Sequence, residues 1–139
     1  MDPDKFVRRA LQISVVFNLG GAVLFAFPAS WLGRLAGLPA SVPGPYRGLL
    51  AFFIALFGGA YAWLSVQRDI DRPLVAFSSI GKTGAFLTIA AFWIAGQVPG
   101  RSVAIATGDV LLAAVFAWWL FVATERGPAI PSAARPEPI

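Results

Sequence analysis

Four stretches of about twenty mostly apolar residues constrain this chain more than any other feature. They cover about residues 6–27, 46–66, 74–95 and 103–123, and charged residues, Pro or Gly separate them. A helix needs about 20 apolar residues to cross the roughly 30 Å hydrocarbon core of a bilayer. Only 13% of the 139 residues are charged, against about 25% in soluble domains. The sequence therefore predicts an all-α fold, an integral membrane four-helix bundle.

The first stretch has a second interpretation, because a basic start followed by an apolar run is also typical of a signal peptide. Lys5, Arg8 and Arg9 supply the basic start. The run is longer than the usual 7–15 residues of a signal core, and no small-x-small cleavage site follows Phe27. We therefore expect this stretch to remain as a membrane span.

The segment 28–45 carries four Pro residues, so it cannot continue a long helix. Within it, four large apolar residues share one face at helical spacing, and Arg34 lies off that face. These residues are Trp31, Leu32, Leu35 and Leu38. The pattern predicts a short interfacial helix in the first external loop.

Two short turns separate the later spans. In the first, Asp71 favours the N-terminus of the following helix, with Pro73 tolerated in its first turn. In the second, Ser102 is the expected N-cap. Residues 1–126 then form a single domain, and the Pro-rich residues 127–139 are predicted to be a disordered cytoplasmic tail.

Basic residues near the span ends predict the orientation. Seven lie on the side shared by both termini and the second loop, and Arg34, Arg47 and Arg101 lie on the other. Because cytoplasmic loops carry an excess of Lys and Arg, both termini are predicted to be cytoplasmic. Aromatic belts should then mark the two interfaces, with Trp31, Tyr46 and Trp93 outside and Trp63, Trp118 and Trp119 inside.

Lys82 and Asp109 are ionisable residues near the middle of their spans. Each costs at least about 2.5–3.5 kcal/mol on insertion scales and so usually has a partner. At about 1.5 Å per residue, Lys82 lies about 13 Å from the cytoplasmic end and Asp109 about 18–20 Å from it. The short 96–102 connection makes their helices antiparallel neighbours. The sequence therefore predicts a Lys82–Asp109 ion pair.

Asn18 lies at about the depth of Asp109, and Tyr61 shares a face of the second span with Gly58 and Ser65. Two interpretations remain open. In one, the charges neutralise each other and fix helix register, with Asn18 as an interhelical hydrogen-bonding group. In the other, the four polar residues form a site for proton relay or for a ligand head group.

Small residues at four-residue spacing predict close helix contact in every later span. The second span offers Ala51, Ala55 and Gly59, the third Gly81 and Ala85, and the fourth Asp109, Ala113 and Ala117. Packing within one bundle and self-association with another copy are both consistent with these faces.

The composition also excludes several classes of protein. The chain has no Cys and no His, so zinc sites of the usual kind and haem or copper ligation by imidazole are excluded, and no cofactor or metal is expected. The basic residues are scattered, without the patch that nucleic acid needs. Paired carboxylates and nucleophile–base constellations are missing, which argues against an enzyme.

Several short motifs resemble those of small four-helix bacterial membrane proteins, loosely of the DoxX-like kind. They are Asn18-Leu19-Gly20-Gly21, Phe27-Pro28, Gly37-Leu38-Pro39, Gly81-Lys82 and Gly108-Asp109. The resemblance implies a bundle in a bacterial inner membrane and, for some relatives, an accessory link to membrane redox enzymes. Small multidrug-resistance transporters resemble the chain only in size and helix number, because Asn18 and Gln12 stand in the span where those proteins use an acidic residue.

The sequence thus favours a non-enzymatic inner-membrane protein that acts as an accessory subunit or binds a lipophilic molecule between its helices. Its expected partners are the lipid bilayer, with a membrane protein partner or a second copy as further options. The alternative is a small proton-coupled transporter that uses Lys82 and Asp109.

Overall fold

The computed structural model describes residues 2–125, and every regular element in that range is a helix. The elements are α1 (Pro3–Ala26), α2 (Trp31–Leu35), α3 (Gly44–Val66), α4 (Arg72–Ile94) and α5 (Gly100–Glu125). Four of them are long and apolar enough to cross a membrane. The chain is therefore a multi-pass membrane protein with an all-α bundle fold. The predicted tail, 127–139, lies outside the described residues.

Side-chain caps account for where two of the long helices, α1 and α4, begin. The Asp71 side chain accepts a hydrogen bond from the Leu74 amide (2.9 Å) and caps α4, as predicted. The Ser102 cap prediction is wrong, because α5 begins two residues earlier, directly after Pro99. The Ser102 hydroxyl instead donates to the Ala36 carbonyl (3.0 Å), which ties α5 to the segment after α2.

The predicted short helix is present as α2, capped by the Ser30 hydroxyl, which accepts from the Gly33 amide (3.1 Å). Its large apolar side chains are exposed, and Trp31 is the most exposed at 68%. The helix ends before Leu38 because Gly37 has a φ of +78°, a conformation that interrupts a helix. Leu38 is therefore not part of the helical face. The interfacial location of α2 stays a prediction.

The four long helices pack as two close pairs. α1 packs along α3, α4 packs along α5, and the pairs are joined mainly through α1 and α5. Over their described lengths, no Cα atom of α3 lies within 8 Å of a Cα atom of α4. One end of the bundle holds the start of α1, the end of α5 and the α3–α4 loop, and the other holds α2. We call these the terminal end and the α2 end.

Close contact in the α1–α3 pair centres on Gly58. A Cβ atom there would lie 3.4 Å from the Asn18 Cβ, whereas one on Gly59 would meet nothing within 4 Å. The close contact predicted at Gly59 is therefore wrong, whereas Gly58 and Tyr61 are both buried on the face that the sequence assigned to them. The contact face predicted for α5 is confirmed at Ala113, which is buried. Its carbonyl accepts a hydrogen bond from the Ser79 hydroxyl on α4 (3.0 Å).

The apolar core lies toward the terminal end. Six of its side chains are fully buried, namely Val7, Leu11, Tyr61, Leu64, Val75 and Phe116. Trp119 belongs to this core and donates from its indole nitrogen to the Asp4 carboxylate (2.8 Å). Its predicted place in the inner aromatic belt is therefore wrong, while its neighbour Trp118 is exposed.

Candidate intramembrane polar site

Lys82 and Asp109 form an ion pair near the middle of the bundle. The ammonium Nζ of Lys82 lies 2.7 Å from Oδ1 of Asp109. The α4–α5 pairing positions both residues, because the short connection after α4 returns the chain antiparallel to it. The contact predicted from depth along the two helices is therefore present. Whether this pair also serves as a binding site stays a prediction.

Asn18 connects the ion pair to the other helix pair. Its side-chain oxygen accepts a hydrogen bond from Lys82 Nζ (3.2 Å), and its side-chain nitrogen donates to the Ile54 carbonyl of α3 (3.1 Å). One asparagine thus joins α1, α3 and α4. A Lys ammonium has three N–H donors, and Asp109 and Asn18 accept two of them.

Aromatic rings surround the remaining side of the Lys82 ammonium. Its Nζ lies 5.3 Å from the centroid of Phe17 and 5.0 Å from that of Tyr61. Both distances are within the about 6 Å range of a cation–π interaction, which gains strength away from water. Tyr61 is therefore beside the pair, as predicted, but it presents its ring face to Lys82.

Sequence reasoning missed the contributions of Phe17 and of the Ile54 carbonyl, and neither carries a signal in a sequence where most residues are apolar. Ser78 could have been predicted as part of the site, because it is a polar residue one turn before Lys82 on the same face of α4. It is buried and donates to the Leu74 carbonyl (2.7 Å). Ser14, one turn before Asn18, is fully buried, and its hydroxyl has no hydrogen-bond partner among the described residues.

Burial in α3 and α4 ends at the level of the ion pair, whereas α1 and α5 are still buried beyond it at Ala22 and Ala106. Toward the α2 end, no described residue of α3 before Gly58 is buried, and none of α4 after Lys82 is buried. Toward the terminal end, Leu11, Leu64 and Val75 close the bundle with apolar side chains. The site is therefore sealed by the apolar core on one side and borders the loosely packed half of the bundle on the other.

The two charged side chains differ in accessibility. Lys82 is 3% exposed, whereas the side chain of Asp109 is 20% exposed. The exposed part of the carboxylate can accept a hydrogen bond from a group outside the bundle, because an ionised carboxylate has about four lone-pair positions and Lys82 contacts Oδ1 alone. The arrangement thus presents a hydrogen-bond acceptor at membrane depth.

The chemistry available at this site is charge pairing and hydrogen bonding. Among the described residues, no three metal-ligating side chains of the His, Cys, Asp or Glu types lie close enough to hold an ion. The DoxX-like resemblance stays a prediction. Comparison with family models, with curated proteins and with solved structures finds no match to this chain.

Proposed function

We propose that the chain is a non-enzymatic membrane protein that binds a lipophilic molecule between the α2-end halves of α3 and α4. The ligand carries a hydroxyl or amine group that donates a hydrogen bond to Asp109. The single observation that supports this proposal most is the end of burial in α3 and α4 at the level of the ion pair, which leaves a polar anchor beside the exposed faces of these two helices.

The shape of the α3–α4 contact supports a ligand at this position. Near the site the two helices meet only through large side chains, with the rings of Phe57 and Phe77 stacked at 6.0 Å. A Cβ atom on Gly81 would lie 3.9 Å from the ring of Phe57. One turn farther toward the α2 end, the same faces present Phe53 on α3 and Ala85 on α4, and both residues are exposed.

The energetics of the carboxylate also support a bound donor. An ionisable group at membrane depth is expensive, and its cost falls when every polar atom has a partner. Lys82 donates to one carboxylate oxygen of Asp109, and a hydrogen-bond donor on a ligand would give the other oxygen a partner. The ligand's apolar remainder would pack on the Phe53 and Ala85 surface, in place of lipid chains.

A photoreactive long-chain alcohol tests the proposal. We expect an alcohol with a diazirine in its chain to label Phe53, Ala85 or Thr88 at least about tenfold more efficiently than the matched alkane, because a hydrogen bond to a charged group contributes about 1.5–3 kcal/mol. Labelled peptides are identified by mass spectrometry after reconstitution in vesicles. Ala85→Phe should fill the surface and remove the preference.

Ala114→Phe is the matched control, because Ala114 is exposed on α5 and lies outside the α3–α4 contact. It should leave the labelling unchanged. Equal labelling by alcohol and alkane would contradict a ligand anchored at Asp109. If the α3–α4 surface is protected from both probes, a membrane partner or a second copy covers it, and the accessory-subunit role replaces the ligand-binding role.

Proton-coupled transport is the second candidate function. A site that is open toward one end and closed by an apolar layer at the other has the form that alternating access requires. Asp109 would bind the proton when Lys82 moves to Asn18, which already accepts from the same ammonium. Uptake of a lipophilic cation driven by a pH gradient in vesicles would favour this function.

The orientation is proposed from the basic residues, with both termini in the cytoplasm of a bacterial cell and the protein in its inner membrane. A phosphatase fused after Ala123 should therefore be inactive, because the enzyme folds only outside the cytoplasm. The same reporter inserted in the 96–99 loop should be active. The reverse pattern would contradict the orientation.

A further inference from the structure

A charged cavity of about 240 Å³ opens at the terminal end of the bundle, separated from the ion pair by the apolar core. Its charged lining comes from three elements: Arg8 of α1, Arg68 and Asp69 of the α3–α4 loop, and Arg72 at the start of α4, together with Asp4. The ring of Trp119 forms part of the wall. We propose that this cavity, the arginine pocket, binds the phosphate group of an anionic membrane lipid.

The arginine pocket is prepared by hydrogen bonds that fix its side chains. The Arg8 guanidinium donates to the Ser65 carbonyl (2.9 Å) and to the Arg68 carbonyl (2.8 Å). Ser65 lies in the last turn of α3, where carbonyl groups lack helical partners, and Arg68 lies in the loop that follows. A guanidinium has five N–H donors, so Arg8 keeps donors for an anion after these two bonds. The Arg8 guanidinium is thus already held in place before a ligand binds.

The carboxylates of the pocket leave its positive charge in place. The Asp4 carboxylate accepts a hydrogen bond from the Trp119 indole nitrogen. Neither Arg8 nor Arg68 lies within the 4.0 Å ion-pair distance of Asp4 or Asp69, the two described carboxylates of the pocket. Arg8 and Arg68 therefore bring positive charge to the cavity, which is complementary to the single negative charge of a phosphodiester.

The size and position of the cavity favour a lipid phosphate over a larger ligand. Drug-sized molecules occupy pockets of about 300–1,000 Å³, and 240 Å³ is below that range. It accommodates a phosphate group with a few waters, each of which takes about 30 Å³. Exposed Trp63 and Trp118 lie in the last turns of α3 and α5 at this end, as expected where helices reach the head-group layer. Guanidinium groups bind phosphate through paired N–H donors.

Native mass spectrometry of the full chain in neutral detergent tests this site with phosphatidylglycerol, phosphatidylcholine and inorganic phosphate as probes. Arg68→Gln is the informative variant, because the Arg68 guanidinium forms no hydrogen bond or ion pair among the described side chains, and the bond from Arg8 goes to the main-chain carbonyl of Arg68, which the substitution keeps. We expect the concentration for half occupancy by phosphatidylglycerol to rise about tenfold. Phosphatidylcholine should bind weakly to both forms.

Arg9→Gln is the matched control, since Arg9 is exposed at the same end but does not line the pocket. It should change the half-occupancy concentration less than about twofold. Competition by millimolar inorganic phosphate would support a phosphate site that also takes the free anion, and its absence would support a lipid head group alone. Equal effects of the two substitutions, or none from Arg68→Gln, would overturn the proposal. The test is independent of Asp109 and of the proposed function.

Discussion

Replacing Lys82 by Met, or Asp109 by Leu, should each destabilise the bundle by about 3–5 kcal/mol, the cost of leaving one charge of a buried pair without its partner. The reason is geometric as well as electrostatic. Lys82 is 3% exposed and 2.7 Å from Asp109, so the Lys82 ammonium cannot leave its partner for water without moving a helix. When Asp109 is replaced, Asn18 and the rings of Phe17 and Tyr61 still contact the Lys82 ammonium and reduce the destabilisation, but they supply no negative charge.

The double variant should be more stable than either single variant, because two apolar side chains of similar size fill the same space without a charge. Reversible unfolding in mixed detergent micelles, followed by circular dichroism, measures all four forms. A coupling free energy of about 1 kcal/mol or more is expected between the two positions. Ser79→Ala is the control, because it removes a hydrogen bond between α4 and α5 but no charge. It should cost only about 0.6 kcal/mol.

Additive losses in this cycle would contradict the ion pair. The same double variant also separates the two interpretations of the pair. If it folds and retains the preference for the long-chain alcohol, the pair has only a structural role. If it folds and loses that preference, Asp109 anchors the ligand.

The parts of the fold that the sequence predicts correctly depend on distance along the chain. Span lengths follow from bilayer thickness, and the pairing of Lys82 with Asp109 follows from a fixed rise per residue and a short loop. The observed helices extend two or three residues beyond several predicted spans because their ends are polar and are fixed by caps such as Asp2 and Asp71. Apolar length cannot show where a cap lies.

The parts that the sequence does not predict depend on rotation about the helix axis. Adjacent residues differ by about 100° around a helix. This rotation places Gly58 in the α1–α3 contact and makes Gly59 face outward. Trp119 in the core and Trp118 at the surface differ in the same way. In a soluble protein, polar residues would show the outward face, but lipid and core are both apolar. The Asn18–Ile54 bond was unpredictable for this reason, since it forms only when Gly58 faces α1.

Gly58→Leu should therefore separate α1 from α3 and disturb the polar site, whereas Gly59→Leu should do neither. A Cβ atom at position 58 would already lie 3.4 Å from the Asn18 Cβ and 3.6 Å from Leu19, so a leucine has no room. Overpacking of this kind costs about 1–3 kcal/mol. At position 59 a Cβ atom meets nothing within 4 Å.

The absence of Cys from the chain makes a direct measurement of this separation possible. A Cβ atom on Gly21 would lie 3.5 Å from the Ile54 side chain, so Gly21→Cys with Ile54→Cys should cross-link α1 to α3 under mild oxidation. Cross-linking should persist with Gly59→Leu and fall sharply with Gly58→Leu. In the Gly58→Leu background, the coupling between Lys82 and Asp109 should remain, because α4 and α5 form their own close pair, while the contribution of Asn18 should be lost. Unchanged cross-linking with Gly58→Leu would show that the α1–α3 contact does not depend on this glycine.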